Sequence, residues 1–358
     1  MARPTSATIH IDALRHNLSE LRRRAPNSRV MAVVKADGYG HGLERVSRAL
    51  AGADAFGVAA LSDAERLRAA GLSQPIVLLS GFDDADDLPQ LRRLNVDTVV
   101  HHSSQLEMLT QAEAGDPIRC WLKVDSGMHR LGFPPEQVRE VHARLSSLAN
   151  VVGDVVLMSH FASSDEFDQP DTLTQTRAFA AATEDLAGAR SMANSAAVLG
   201  WPQTHGDWVR PGGALYGVSV VDGRSSADFG LRPAMTLSTR LIAVNRIEKG
   251  ERIGYAGAWT CPEDMPVGVA AIGYGDGYPR HVPAGTPVLL NGRAVPIIGR
   301  VSMDLMTLDL RSQPEARPGD AVVLWGEGLP VEDVAAAADT IGYELICSIT
   351  RRVRFIEA

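Results

Sequence analysis

No run of roughly 18 apolar residues occurs in this 358-residue sequence, so no membrane-spanning helix is expected. Cysteine is scarce. Cys120, Cys261 and Cys347 are odd in number and far apart, without metal-ligand spacing. That excludes a disulfide framework or a zinc site as the leading reading and favours three reduced, mostly buried thiols; no metal is expected. Basic residues are not in excess. With 35 Lys and Arg against 43 Asp and Glu, the net charge of −8 disfavours a nucleic-acid binder or a binder of anionic membranes. The opening Met1-Ala2-Arg3-Pro4-Thr5-Ser6 lacks the apolar segment of a secretory signal, so a cytoplasmic location is expected. Internal repeats and low-complexity segments are also missing. What remains has ordinary enzyme composition and is long enough for one large or two moderate domains.

The first two-thirds of the chain alternates short apolar runs with amphipathic helices. Asp12 reads as the N-cap of a helix carrying Leu14, Leu18 and Leu21 on one face. Strands are expected at Val30–Val34, Ala55–Ala59, Pro75–Leu79, Thr98–Val100, Arg119–Val124, Val155–Ser159, Arg190–Met192 and Trp208–Arg210. Helical stretches such as Asp63–Ala70 and Glu136–Leu148 lie between them. Eight strands with helical crossovers favour a closed (β/α)8 barrel of the TIM type over an open sheet. Near Gly230 the text changes to β-branched runs punctuated by Gly and Pro, and only Val331–Ile341 reads as a clear helix. The expected organisation is an α/β barrel over 9–229, followed by a mainly β domain over 230–358 that an N-terminal strand within 1–8 would join.

The chemistry is concentrated in Val33-Val34-Lys35-Ala36-Asp37-Gly38-Tyr39-Gly40-His41-Gly42. A buried strand ends on a lysine, a flexible glycine-rich turn follows, and a helix starts near Leu43. Strand interiors exclude ammonium groups unless these are paired or chemically used. Amine chemistry requires a partly desolvated lysine whose pKa has fallen. A lone strand-end lysine more commonly reaches out to solvent, but three glycines that let backbone approach a bulky ligand weigh against that here. Other polar residues recur after apolar runs: Lys123 and Asp125 after the fifth strand, His160 after the sixth, Asn194 and Ser195 after the seventh, and Arg210 after the eighth. In such barrels chemistry gathers at the C-terminal ends of strands, so these residues point to one mouth. Individually, each has a plainer reading: a core histidine, a helix cap, a surface ion pair. In Arg210-Pro211-Gly212-Gly213, two glycines open a short helix after the last strand, where barrels of this type often hold a phosphate.

The wording Ala32-Val33-Val34-Lys35-Ala36-Asp37-Gly38-Tyr39-Gly40-His41-Gly42 resembles the pyridoxal 5'-phosphate attachment site of bacterial alanine racemases. The likeness continues through Leu122–Phe133, Arg210–Gly217, Arg252–Trp259, Gly273–Arg280 and Gly299–Asp304, covering about residues 6 to 356. It implies that Lys35 carries the cofactor and acts as one acid/base, while Tyr255, reaching into a neighbouring subunit, acts as the other. Racemisation needs both, because a proton removed from one face must return to the opposite face. The likeness also places Tyr39, Ser195, Gly212 and Gly213 on the phosphate, His160 against the ring and Arg210 on the pyridine nitrogen. An arginine can only donate there, so the nitrogen stays unprotonated, which disfavours a long-lived carbanion and transamination. Arg130 and the backbone of Met303 would bind substrate, and Lys123 would be a carbamylated lysine that positions Arg130. The plainer reading of this segment is an Asp–Arg pair steadying a loop. Asp165, Tyr274 and Arg280 would line the entrance.

The chain departs from the family in two places. Ser302 stands where many members have Cys, and Arg351 stands where several carry a phosphate-side tyrosine. The expected protein is a homodimeric alanine racemase with shared active sites, supplying D-alanine for peptidoglycan. A related amino-acid decarboxylase would normally carry a C-terminal Cys-x-x-x-Asp-type motif, which is not evident. A non-catalytic carrier of the same cofactor would need neither Tyr255 nor the β domain.

Overall fold

Eight short apolar segments, each followed by a helix-forming stretch, set the architecture of the first two-thirds of the chain. The computed structural model describes residues 3–113 and 115–358. After an N-terminal strand β1 (Ser6–Ile9) come β2 (Arg29–Val33), β3 (Ala55–Val58), β4 (Ile76–Leu78), β5 (Val96–Val100), β6 (Cys120–Lys123), β7 (Val156–Met158), β8 (Arg190–Ser191) and β9 (Trp208–Val209). Strands β2 to β9 pair in parallel in sequence order, and β9 returns to β2 to close the barrel. The interior is filled rather than open: Met31, Ala55, Val77, Val99, Trp121, Val156, Met158 and Trp208 form one buried cluster. The opposite faces of the strands pack against the surrounding helices, whose inward stripes supply Leu14, Leu18, Leu21, Leu67, Leu91 and Leu145.

The start of the first helix, Ile11–Arg24, is not built as expected. Its N-cap is His10, without a side-chain cap, and Asp12 sits inside the first turn, bonded to Arg15 at 3.1 Å. Backbone from the second domain does the anchoring instead. The His10 and Ile11 N–H groups donate to the carbonyls of Ala234 and Ala358, both at 2.9 Å. A cap supplied from more than 200 residues away leaves no local signature.

The remainder is mainly β. Met235–Ile247 is its longest strand and pairs with β1, Ala321–Trp325 and Met265–Ala270. Pairings through Met306–Asp309, Arg293–Ile298 and Pro287–Leu290 close a six-stranded ring, and β1 and Arg354–Glu357 extend it on one side. Met1 and Ala2 of the expected N-terminal strand lie outside the described residues. The expected helix over Val331–Ile341 ends already at Ala337, and a second short helix that was not expected, Gly342–Cys347, follows it. Asp339 between them takes a left-handed φ of 51°, which breaks the first and redirects the chain. Among the described residues no helix is long and apolar enough to cross a membrane.

At the barrel floor, opposite the C-terminal ends of the strands, the side chain of Asp97 is only 18% exposed. It accepts a hydrogen bond from Trp121 Nε1 at 3.1 Å, and its nearest cation, Arg119, is 3.9 Å away. Burial therefore outweighs these partners and raises its pKa from 3.8 to about 6. Between those values the folded chain holds a proton that the unfolded chain has lost, so this carboxyl makes stability fall as pH rises from about 4 to about 6. Asp97→Asn, which keeps an acceptor for Trp121, should stabilise the protein by about 1–3 kcal/mol above neutrality and hardly at all near pH 4. Denaturant unfolding at the two pH values checks this; equal effects at both would show that the charge is not the cause.

Candidate active site

The residue after a barrel strand is where a side chain can leave the packed interior and still be held rigidly. Lys35 follows β2 by two positions, Lys123 ends β6, His160 follows β7, Ser195 follows β8, and Arg210 comes directly after β9. Together with Tyr39, Arg130, Asp165, Gly212 and Gly213, they line one cavity of about 1250 Å³. Five separate strands thus deliver polar groups to one mouth. Tyr255, Tyr274, Arg280 and Met303 do not line that cavity and lie on the β domain.

The turn after Lys35 is ordered, not flexible. Ala36, Asp37, Gly38 and Tyr39 all adopt left-handed φ values, from 50° to 62°. For a residue with a Cβ this costs roughly 1–2 kcal/mol each, and tertiary contacts compensate. The carbonyl of Tyr39 accepts from His41 Nδ1 at 2.8 Å, and Asp37 accepts from Arg66 at 2.7 Å. Gly40, with φ 77°, lies so close to the helix Gly342–Cys347 that a Cβ would stand 2.1 Å from the Ile346 carbonyl oxygen. The turn that fixes Lys35 is therefore clamped by the β domain. Lys35 is open to the cavity, yet the surrounding walls strip away enough water to lower its pKa, and the Arg130 charge acts in the same direction.

Arg210 is 4% exposed and fully engaged. It donates to Ser191 Oγ and the Ser159 carbonyl, both at 2.6 Å, to the Met192 carbonyl at 3.2 Å, and towards His160 Nδ1 at 3.3 Å. Its environment is dry enough to bring its pKa down to about 10. A guanidinium has no acceptor, so His160 Nδ1 must accept and its proton must sit on Nε2. Burial, then the charges of Arg210, Lys123, Arg130 and Lys35, hold the imidazole well below its usual pKa.

The loop Asp125–Arg130 does not contain the Asp–Arg pair of its plainer reading. Asp125 accepts from the Gly127 and His129 N–H groups, both at 3.0 Å, and approaches His129 Nδ1 at 3.3 Å. It steadies the loop without Arg130, which is left facing the cavity with no carboxylate partner among the described residues. Lys123 is buried, which takes its pKa down to about 8, helped by Arg210 and Arg130. Of the three lysines in the chain, Lys35 and Lys123 therefore face this cavity, and only Lys249 lies elsewhere.

The glycine turn is a cradle. Ser195 Oγ accepts from the Gly212 N–H at 2.7 Å and the Ala214 N–H at 3.3 Å, leaving its own hydroxyl hydrogen free to donate. A Cβ on Gly212 would lie 2.5 Å from Tyr39 Oη, and one on Gly213 would lie 2.5 Å from Tyr343 Oη. Two phenols and a serine hydroxyl thus converge on backbone that only glycine can form, among unpaired cations. This donor set fits a phosphorylated, carboxylate-binding cofactor site. Asn194 is the helix cap, its side chain accepting from Ala197 N, so that plainer reading also holds.

Sequence reasoning missed Tyr343, whose helix, Gly342–Cys347, begins just beyond the expected one. The cysteines are mostly buried, as expected: Cys120 and Cys261 are, while Cys347 is exposed and lines the cavity with Lys35. Arg351 is exposed and does not line the cavity. On the β domain, Tyr255 is 64% exposed, Met303 51% and Tyr274 38%. The Tyr274 and Gly275 N–H groups donate to the carbonyls of Ser302 and Met303 at 3.0 and 2.9 Å, binding the two loops together.

Comparison with known proteins shows one family over both parts of the chain. Residues 9–220 match the family described as alanine racemase, N-terminal domain, and residues 234–357 match alanine racemase, C-terminal domain. The chain is 54% identical to an alanine racemase of Shewanella baltica over 97% of both chains. It is 52% identical to that of Vibrio cholerae, over 97% of this chain and 96% of the relative. Among solved structures, the biosynthetic alanine racemase of Pseudomonas aeruginosa superimposes with a TM-score of 0.97 at 44% identity, covering 99% of each chain.

The hydrogen-bond roles at Arg210 carry a spectroscopic consequence. With selectively 15N-labelled histidine, His160 should show the neutral, Nε2-protonated pattern at neutral pH. An Nδ1-protonated neutral pattern would refute the assigned tautomer.

Proposed function

The chain belongs to the alanine racemase family, and from that premise we propose which of its residues carry the reaction. The reaction is the interconversion of L- and D-alanine, an isomerisation dependent on pyridoxal 5'-phosphate. When bound, the cofactor withdraws electrons from the substrate's α-carbon and so makes its proton removable. No observation favours the decarboxylase or the non-catalytic reading.

In this proposal Lys35 holds the cofactor and moves the proton on one face of the α-carbon. The carrying observation is its place: a strand-end amine with lowered pKa, fixed by a strained turn, in a cavity whose other cations lack carboxylate partners. Tyr39, Ser195, Gly212 and Gly213 hold the phosphate, and Tyr343 joins them across Gly213. Arg210 faces the pyridine nitrogen, which stays unprotonated against a group that can only donate. His160 lies against the ring. Arg130 receives the substrate carboxylate, a role supported by its unpaired charge at the mouth. Lys123 is proposed as a carbamate: near neutrality a fraction is free amine, which adds carbon dioxide with loss of a proton, and the resulting anion faces Arg130.

Tyr255 is assigned the opposite face. It cannot serve the barrel of its own chain, because it lies outside the cavity on an exposed loop. Its exposure together with Tyr274, Met303 and Leu305 is typical of a covered interaction surface. We therefore assign it to a homodimer in which Tyr255 and Met303 of the partner subunit complete each site, with Asp165, Tyr274 and Arg280 at the entrance. The domain limits 9–229 and 230–358, a cytoplasmic location and supply of D-alanine to peptidoglycan belong to the same proposal.

Borohydride treatment of the holoenzyme should fix the cofactor to the peptide containing Lys35. Recovery of the label on Lys123 or Lys249 would overturn the central assignment.

Lys35→Ala and Tyr255→Phe homodimers should each lose nearly all racemisation, since every site lacks one base. A mixed dimer has one site with both defects and one with neither, so co-expression should restore part of the activity. Isolated heterodimers as inactive as both parents would place the two bases in one chain.

A further inference from the structure

Four charged residues from distant parts of the chain meet on the β domain. Asp276 follows Tyr274 by two positions and its side chain is 0% exposed, while Asp304 directly follows Met303. Arg3 donates to Asp276 Oδ2 at 2.8 Å and to Asp304 Oδ1 at 3.2 Å. From the other end of the chain, Arg352 donates to Asp304 Oδ1, and its Nε lies 3.4 Å from Asp276 Oδ1. Two arginines thus alternate with two carboxylates in a closed ring. A carboxylate as buried as Asp276 is costly to hold unless cations compensate it, so the ring is more than a surface ion pair.

What the ring encloses is the join between two loops. The Tyr274 and Gly275 N–H groups bond the carbonyls of Ser302 and Met303, and Arg3 takes the next one, donating to the Asp304 carbonyl at 2.9 Å. Three successive carbonyls, on and beside Met303, are therefore fixed. Asp276 Oδ2 also accepts from the Gly273 N–H at 3.1 Å, which shapes the turn that carries Tyr274. The loops have little room to part or slide. A Cβ on Gly273 would lie 2.6 Å from the Met303 carbonyl oxygen, and one on Gly275 would lie 3.0 Å from it.

We propose, resting on the assignment of Met303 to the substrate, that Arg3, Asp276 and Arg352 are positioning residues for substrate binding. Through Asp304 and its carbonyl they hold the backbone of Met303 in place. Two tasks of the β domain are separated in this way. The turn bearing Tyr255 has its own support, because Arg252 donates to the Ala256 carbonyl at 2.8 Å and to the Gly257 carbonyl at 3.1 Å. Loosening the ring therefore weakens substrate binding and leaves proton transfer at Tyr255 largely intact.

Arg352→Met removes one cation from an exposed position without opening the core. In the holoenzyme it should raise KM for L- and D-alanine about fivefold and change kcat by less than about twofold, as when binding is lost equally from ground and transition states. Arg3→Met, acting on the same carboxylates, should move KM in the same direction. Arg352→Lys, whose single ammonium can serve only one carboxylate at a time, should restore part of the loss. Loss of folded protein alone would lower the apparent kcat and leave KM where it was. Amide hydrogen exchange reads the join directly: the Tyr274 and Gly275 N–H groups should exchange about tenfold faster in Arg352→Met. Unchanged exchange, or a fall in kcat at unchanged KM, would overturn the role given to the ring. Faster exchange at unchanged KM would overturn it through the assignment of Met303 on which it rests.

Discussion

Uncompensated positive charge at the barrel mouth is the constraint on which the rest of this structure depends. Lys35, Lys123, Arg130 and Arg210 share one cavity, and the nearest carboxylate on the loop, Asp125, is spent on backbone N–H groups and His129. Burial first, and then the neighbouring cations, make charge costly here, so the two lysines have lowered pKa values. Burial lowers Arg210 as well, to about 10, so it stays charged at neutrality; its planar fork is satisfied by two carbonyls and a hydroxyl, and it dictates the proton position on His160. An anionic ligand with phosphate and carboxylate groups relieves the repulsion, and a lysine kept partly neutral is what amine and proton-transfer chemistry require.

Holding that arrangement involves both halves of the chain. The left-handed turn after Lys35 would not persist as a free segment, since three of its residues carry a Cβ in an unfavourable region. It is kept by close approach of the helix Gly342–Cys347, by the Tyr39–His41 contact and by the pairing of Asp37 with Arg66. Tyr39 in turn packs against Tyr216, with ring centres 4.7 Å apart, and near Tyr343 at 5.8 Å. The β domain is thus a clamp on the catalytic turn of its own barrel, as well as the carrier of Tyr255. Substitutions in its last 20 or so residues should be felt at Lys35 without touching substrate.

Much of this was legible in the sequence. Eight apolar runs at regular spacing define the barrel, because a parallel strand covered on both faces has to be nearly all apolar. Polar residues at the ends of those runs mark the mouth, because a charged side chain is tolerated only where the strand leaves the interior. Where the reading failed, the deciding contact was remote. Asp12 has the right residue type and position for a cap, yet the helix is anchored by carbonyls of Ala234 and Ala358. The helix Gly342–Cys347, which lies against Gly40 in the barrel, likewise has its deciding contact far away in the chain.

By itself, then, the sequence determined the order of elements, the identity of the strand-end groups and the family to which they belong, since these rest on local periodicity and on residue chemistry. Tertiary structure alone decided which of those groups are paired. It left Arg130 free by giving Asp125 to the backbone, made His160 a neutral acceptor by placing it against Arg210, and put Tyr343 over the glycine cradle. The physical reason is that desolvation and hydrogen-bond competition depend on distances between segments far apart in the chain, and no local pattern encodes them.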